Sequence, residues 1–395
     1  MSNKKRALIV CGGIGGVDVG FEAAGIETVG LELVDKIAAV ARANGLDMRT
    51  ANILDVRDWA AFGPIDIFHA SPPCPNFSAA KAGAEETVLD MRLAAAICRA
   101  VWVLRARVVT LENVYGYRNS RSWGMIERCL CRWGYKVGYW HLNAADYGVP
   151  QTRRRMIVLG VQGRQPTKPE PTHARNPIFG LFPRKKWVGW YESVDDLVDG
   201  LPDTEFAPWQ KEKLREAGFD ESFILANGER SQPKVGALPC DTVTANRNQK
   251  SIRAFLVEGR SGGDRPILTR DGVEPMATMT TSSGGNVVRV FLPHTQRNSN
   301  TLSKFGVEPS TTLGAQKVSV RSRVVKLSVR ALARLQSFPD WYKFPCTSTA
   351  LEVQMLGQDL DISGGSTLAL RGIGNSVPPK LAEVIGRHVV RYYLD

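Results

Sequence analysis

Ala7-Leu8-Ile9-Val10-Cys11-Gly12-Gly13-Ile14-Gly15-Gly16 carries an apolar strand straight into a glycine loop that opens a helical pattern over 17–24. Glycines let a backbone approach a ligand closely at a helix N-terminus, where unpaired N–H groups and the helix dipole gather. Counting G-x-G-x-x-G from Gly13 puts Asp18 where the third glycine belongs. Glu32 ends the next apolar run, about 20 residues on, where an acid can bind ribose hydroxyls. Loop plus acid indicates a nucleoside cofactor and does not choose between NAD and S-adenosylmethionine. The glycines alone also fit a plain tight turn.

Outward from this unit, short apolar runs alternate with helical patterns. Strands are predicted at 7–11, 28–31, 66–70, 108–111, 136–141 and 156–161, and helices at 17–24, 36–44, 87–104 and 122–133. That alternation predicts a doubly wound α/β sheet over residues 1–163. Prolines 166, 169, 171, 177 and 183 then break any regular element, and a weak acidic helix is predicted around 209–217. Residues 230–320 show short β-like runs and a repeat: Gly272-Val-Glu-Pro-Met-Ala-Thr matches Gly306-Val-Glu-Pro-Ser-Thr-Thr, with a looser copy from Gly236. Helical pattern returns at 328–337 and 380–394. The division is therefore 1–163, 164–327 and a closing segment 328–395, whose last helix packs back on the first domain.

At 43% hydrophobic residues the chain can bury a large core, and no apolar run approaches the ~20 residues that span a bilayer. Residues 1–6 lead into a strand rather than a signal-peptide pattern. The seven cysteines (11, 74, 98, 129, 131, 240, 346) form no C-x-x-C pair, against a zinc site and a disulfide framework and in favour of a reduced, intracellular enzyme. Net charge is +12, unevenly spread. From Arg230 to Arg330 there are 16 Lys/Arg against 6 Asp/Glu, whereas Tyr191 to Glu229 holds 3 against 11. A local excess of +10 suits a polyanion better than a membrane, since no basic amphipathic helix accompanies it.

Three stretches carry chemistry. Ser71-Pro72-Pro73-Cys74 sets a thiol on a turn stiffened by two prolines, beyond a buried strand, where ligands of α/β sheets bind. Cys74 is a candidate nucleophile there, although a free cysteine is more often a small core residue. Glu112-Asn113 ends the strand 108–111, so its carboxyl can meet the Cys74 loop over one cleft and move a proton while sulfur attacks. In Gln151-Thr152-Arg153-Arg154-Arg155 the two-residue period puts Arg153 and Arg155 on one side, two forks suited to phosphate or a carbonyl-rich base.

Together these stretches resemble the C5-cytosine DNA methyltransferases of bacterial or phage type. Pro72-Pro73-Cys74 with Phe77-Ser78, then Glu112-Asn113-Val114, then Gln151-x-Arg153-x-Arg155, then Arg330-x-x-x-Arg334-Leu335-Gln336-x-Phe338-Pro339, and last Gly374-Asn375-Ser376-Val377-Pro378-Pro379 follow that family's order across nearly the whole chain. The resemblance implies a Rossmann-like methyltransferase domain with a doubly wound mixed sheet, and a smaller β-rich target-recognition domain. It also implies S-adenosyl-L-methionine as cofactor and a flipped cytosine in a specific duplex DNA sequence. It makes Cys74 the nucleophile at cytosine C6. Glu112 holds and protonates N3, Arg155 meets O2 and Arg153 supports the loop. Cys11, Gly13, Gly15, Gly16, Glu32, Asn52, Pro72, Asn375 and Val377 would line the cofactor. Pro73, Phe77, Ser78, Asn113 and Gln151 would shape the base pocket and its loop. No metal is implied. The expected setting is the cytoplasm of a bacterium or phage-infected host, with a monomeric enzyme and room for a cognate restriction endonuclease.

The chain departs from that pattern in places. Ile9-Val10-Cys11 stands where Asp-Leu-Phe is usual, Asn52 where an Asp is expected, Ala70-Ser71 where Gly-Gly precedes the proline, and Pro75 where Gln is common. These differences bear on cofactor affinity more than on chemistry. Two other readings share most of the motifs: a tRNA-directed branch of the family, which is more compact over 230–320, and a catalytically silent DNA-binding protein.

Overall fold

Apolar runs four to six residues long and buried on both faces make parallel strands, and helices must then cover both sides. The computed structural model describes residues 4–73, 85–176, 183–189, 192–198, 200–201, 328–345 and 360–395; between 202 and 327 it describes short strands only. The first half runs β1 (Arg6–Val10), α1 (Gly16–Ala23), β2 (Glu27–Glu32), α2 (Asp35–Ala43), β3 (Met48–Thr50), β4 (Ile67–Ala70), α3 (Val88–Leu104) and β5 (Val108–Asn113). It continues through α4 (Arg121–Arg132), β6 (Tyr135–Asn143), β7 (Gln151–Thr152) and β8 (Arg154–Gln162). Seven of these strands form one sheet in the order β3-β2-β1-β4-β5-β8-β6. All its pairings are parallel except those of β8, which runs antiparallel to β5 and β6. The Rossmann-like α/β sheet expected from the alternation is present.

Strand alternation sorts the core into two layers. Leu8, Val10, Phe68, Val109, Leu111 and Val158 face α3 and α4. Ala7, Ile9, Ile67, Val108, Ile157 and Leu159 face Val17 and Phe21 of α1 and the last helix. Each such aliphatic side chain contributes roughly 1.5–3 kcal/mol relative to exposure. Helix α3 begins where Thr87-x-x-Asp90 predicts a capping box: Thr87 Oγ accepts from the Asp90 amide, and Asp90 accepts from the Thr87 amide at 2.7 Å.

The closing segment supplies α5 (Val329–Leu335), α6 (Gly365–Asn375) and α7 (Pro379–Val389). Leu381, Ala382, Ile385 and Val389 of α7 share the core of Val17 and Phe21. Lys5 Nζ donates to the Leu394 carbonyl at 2.7 Å and Arg107 Nη2 to that of Tyr393 at 2.8 Å. Among the described residues no helix is long and apolar enough to cross a membrane.

Strand β3 and helix α6, like several two- to four-residue elements, are not among the predicted ones, and one predicted helix is shorter than expected. β3 is three residues long with only Met48 buried, too short for a period to show. Gly365, Gly372 and Gly374 mask α6, because glycine is a poor helix former. Gly372 is nonetheless required, since a Cβ there would lie 2.5 Å from Ile14 Cγ2 under the glycine loop. The helix predicted over 380–394 ends at Val389 and finishes as a π turn over Val390–Leu394.

Between 223 and 326 Cys240–Asp241 pairs parallel with β7, and the other described strands pair antiparallel. Phe223–Leu225 lies between Lys234–Val235 and Lys250–Arg253, with Arg323–Lys326 beyond, and Phe255–Arg260 lies between Leu268–Thr269 and Asn286–Phe291. The acidic helix predicted at 209–217 falls outside the described residues, as does almost all of the repeat.

Candidate functional site

The sheet reverses its winding between β1 and β4, which are neighbours although β2 and β3 intervene in sequence. In open α/β sheets ligands bind in the crevice at such a switch point, beyond the carboxyl ends of the strands. Val10 and Ala70 end β1 and β4 in register, so the glycine loop and the Ser71-Pro72-Pro73 turn leave side by side. The sequence motif and the topology select the same place.

The glycine loop turns through three left-handed residues, Cys11, Gly13 and Gly15, with φ of 57°, 59° and 83°. Gly12 N donates to the Leu31 carbonyl at 3.0 Å, which fixes the loop to the end of β2. Glu32 Oε2 accepts from the Gly13 amide at 3.0 Å and Oε1 from the Val34 amide at 2.9 Å. The acid thus holds the loop as well as lying beside it. Among the described residues nothing lies within 4 Å of where a side chain on Gly13 would stand, so on their side this backbone is open to a ligand. Leu33 and Val34, exposed by 62% and 44%, add an apolar flank that the sequence reading missed. No periodic pattern marks them; their exposure is the signal.

Other expected cofactor contacts are placed differently. A Cβ on Gly16 would collide with the Val377 carbonyl, so these two residues pack on each other. Asn52 closes a turn after β3, accepting from the Leu54 amide and donating to Asp55, both at 3.0 Å. Asn375 is exposed at the end of α6. The Cys11 thiol is pushed up to about 12 by burial and the nearby Glu32 charge, which leaves it neutral and unreactive.

Glu112 and Asn113 are the last two residues of β5 and both are buried, Glu112 only 7% exposed. Arg155 on β8 sets its Nε 3.1 Å from Glu112 Oε1. That oxygen makes no hydrogen bond, so the guanidinium is a charge partner at this distance without aiming an N–H along the line. Asn113 Nδ2 donates to the Pro72 carbonyl at 3.1 Å, joining the tip of β5 to the proline turn. The carboxylate, the guanidinium and the turn thus meet at one edge of the sheet. Pro72 is buried and Pro73 exposed, while Cys74, Phe77 and Ser78 lie outside the described residues.

The expectation of two arginine forks on one ligand needs correction. Arg153 falls in the break between β7 and β8, 2% exposed, and donates from Nη1 to the Gly374 carbonyl at 3.0 Å. Only Arg155 faces Glu112. Gln151, also buried, donates to the Leu335 carbonyl at 3.1 Å, and Gln336 Nε2 reaches the Ser376 carbonyl at 2.7 Å. Gln151 and Arg153 therefore bind the closing segment to the sheet across about two hundred residues of chain, contacts that no local pattern could show.

Beneath the glycine loop sits Asp18, fully buried, with no well-formed hydrogen bond to either oxygen. The nearby Thr28 hydroxyl donates to Glu22 at 3.1 Å. Burial raises the Asp18 carboxyl from 3.8 to about 7, its own amide offsets part of this, and Glu22, Thr28 and Asp47 act more weakly. The folded pKa lies above the unfolded one, so between pH 4 and 7 the unfolded chain has lost a proton that the fold keeps. Stability therefore falls as pH rises through that window, by about 4 kcal/mol for a shift of this size. Asp18→Asn removes the titration. Urea unfolding at pH 5 and pH 8 should show a smaller loss for the variant than for the parent chain; equal losses would refute the assignment.

Comparison with known proteins decides what this edge belongs to. The family model described as C-5 cytosine-specific DNA methylase matches residues 8–391. The chain belongs to that family. It is a DNA (cytosine-5)-methyltransferase, similar to bacterial Type II enzymes. M.XorII of Xanthomonas oryzae pv. oryzae is 26% identical over 96% of this chain and 83% of its own length. M1.HphI of Haemophilus parahaemolyticus is 25% identical over 96% and 85%. Among solved structures, the S. pombe Dnmt2 methyltransferase covers 98% of this chain and 99% of its own at a TM-score of 0.54 and 14% identity. The Entamoeba histolytica methyltransferase EhMeth covers 99% of both chains at 0.53 and 11%. At such identities the structures show the shared fold. Among the described residues no group of His, Cys, Asp or Glu could hold a metal ion.

Proposed function

We propose that this methyltransferase adds a methyl group to C5 of a cytosine flipped out of duplex DNA, through a covalent bond between Cys74 and C6. The observation that carries the reading is the buried Glu112–Arg155 pair at 3.1 Å, on a strand tip bonded to the turn that precedes Cys74. Cytosine C5 is a poor nucleophile. Addition of the Cys74 thiolate at C6 forms the S–C6 bond and moves the ring's electron pair toward N3, where Glu112 supplies a proton. C5 is then enamine-like and attacks an electrophilic methyl group. Loss of the C5 proton and of the Cys74 sulfur restores the C5–C6 double bond, and the N3 proton returns to Glu112. Arg155 would meet O2 and hold the ring in plane with Glu112. Sulfur cannot reach C6 inside the stack, so the base must leave the duplex at a cost of a few kcal/mol.

S-adenosylmethionine supplies the activated methyl group. The residues present fit it. The Gly13 backbone is open, Glu32 lies beside it for ribose hydroxyls, and Leu33 and Val34 offer an apolar flank to a purine. Residues 164–327, with the basic run from Arg230 to Arg330, would read the target sequence in the major groove. Residues 328–395 complete the catalytic domain.

Methyl incorporation from labelled S-adenosylmethionine into duplex DNA and into tRNA tests this reading. Label in DNA, recovered as 5-methylcytosine, is expected. Label confined to tRNA, or absent from both, would overturn it. Bisulfite sequencing of DNA from expressing cells then gives the recognised site.

A further inference from the structure

His69 is buried in the middle of the sheet, 4% exposed, on the strand that leads into the proline turn. Its Nδ1 lies 2.7 Å from Thr110 Oγ1, its registered neighbour on β5, and its Nε2 lies 2.8 Å from Ser71 Oγ. Phe21 packs against the ring, the centroids 5.9 Å apart and the planes near perpendicular. Burial lowers the imidazole to about 3, so the ring is neutral at any working pH. A neutral imidazole has one donor and one acceptor, and a hydroxyl can serve either, so the chain Thr110–His69–Ser71 satisfies itself without water. The three polar groups form one hydrogen-bonded chain, from the middle of β5 to the residue three places before Cys74.

A histidine is a costly way to fill this position. Ile67, two residues earlier on the same face, is an ordinary apolar core residue. Putting an imidazole where an aliphatic side chain would pack carries a desolvation cost that only its hydrogen bonds offset. Those bonds lead to the proline turn, where the next residue is also bonded to β5, through Asn113 and the Pro72 carbonyl at 3.1 Å. His69, Thr110, Glu112, Phe21 and Val377 line one small cavity under the site. The fixed side chains below the turn and the carboxylate therefore belong to one packed unit.

We propose that His69 is a positioning residue. Bridged between Thr110 and Ser71, it fixes Ser71 and the start of the Pro72-Pro73 turn against β5, the turn from which the chain runs on to Cys74. This inference rests on Cys74 being the nucleophile. Positioning is worth a great deal in such chemistry, since misplacing a reacting group by about 1 Å can cost on the order of a hundredfold in rate.

The test uses the full chain and near-isosteric changes that keep the fold, Thr110→Val and Ser71→Ala, with His69→Leu and His69→Gln beside them. Single-turnover methyl transfer to duplex DNA is measured well below the melting temperature, with DNA and S-adenosylmethionine affinities measured separately. Thr110→Val and Ser71→Ala are expected to slow transfer roughly tenfold to a hundredfold while both affinities stay within about twofold. His69→Gln, which keeps an amide within reach of Ser71, should retain more rate than His69→Leu. A merely structural histidine would lower the melting temperature and leave the rate unchanged; wild-type rates in Thr110→Val and Ser71→Ala would overturn the proposal. Cys74→Ala run in parallel separates the two claims. Methylation surviving that change removes the nucleophile assignment and this inference with it, whereas a dead Cys74→Ala beside unaffected hydroxyl variants sinks this inference alone.

Discussion

Cys74→Ala is expected to end methyl transfer, with single-turnover rates falling by a factor on the order of 10⁴ or more. The size follows from the chemistry. Without a bond to C6 the cytosine ring gives C5 no electron density with which to attack. Among the described residues Cys11 is the nearest cysteine to the turn by topology, on the neighbouring strand end, and its neutral thiol rules it out as a substitute. Affinity for duplex DNA should stay close to the parent value, because phosphate contacts, which one thiol does not make, dominate the binding of proteins to DNA. Filter binding and rapid-quench methylation on the same preparation separate the two effects. A variant that still methylates within tenfold of the parent rate would remove the nucleophile from the account.

Glu112→Gln is the second change of large effect. The amide keeps the length of the side chain at the end of β5 but cannot give up a proton to N3. A positioned acid of this kind contributes about 10²–10⁴ in rate, and the loss should fall on the chemical step rather than on binding. The variant also leaves the Arg155 guanidinium, now 3.1 Å from a carboxylate oxygen, without its charge partner in a half-buried place. Removing one member of such a pair is costly to the fold, so a modest fall in melting temperature accompanies the slower rate. A rate within a few-fold of the parent at saturating DNA would show that Glu112 does not protonate the ring.

Much of the sheet could be read from local pattern, because its strands are short apolar runs with turn residues between them. The glycine loop after β1 and Glu32 at the end of β2 mark the switch point by sequence alone, and the structure finds them hydrogen-bonded to each other. Local pattern fails where partners are distant in the chain. The role of Gln151 and Arg153 in binding the closing segment depends on Leu335, Gln336 and Gly374, which sequence spacing cannot bring near. Helix α6 was hidden by the glycines that let it pack under Ile14. Burial of Glu112 follows from β5 extending two residues past its apolar run, where alternation no longer shows. The importance of His69 needed the register with Thr110.

Trapping with 5-fluorocytosine tests the central claim most directly. Fluorine at C5 cannot leave as a proton does, so after methyl transfer the sulfur cannot be expelled and the adduct persists. Duplex DNA carrying 5-fluorocytosine at the recognised site, incubated with the chain and S-adenosylmethionine, is digested, and the peptides are mapped by mass. The account predicts one nucleotide adduct, on the peptide bearing Cys74, and none when the cofactor is left out. A methylated product without any stable adduct, or an adduct on a different cysteine, would contradict it.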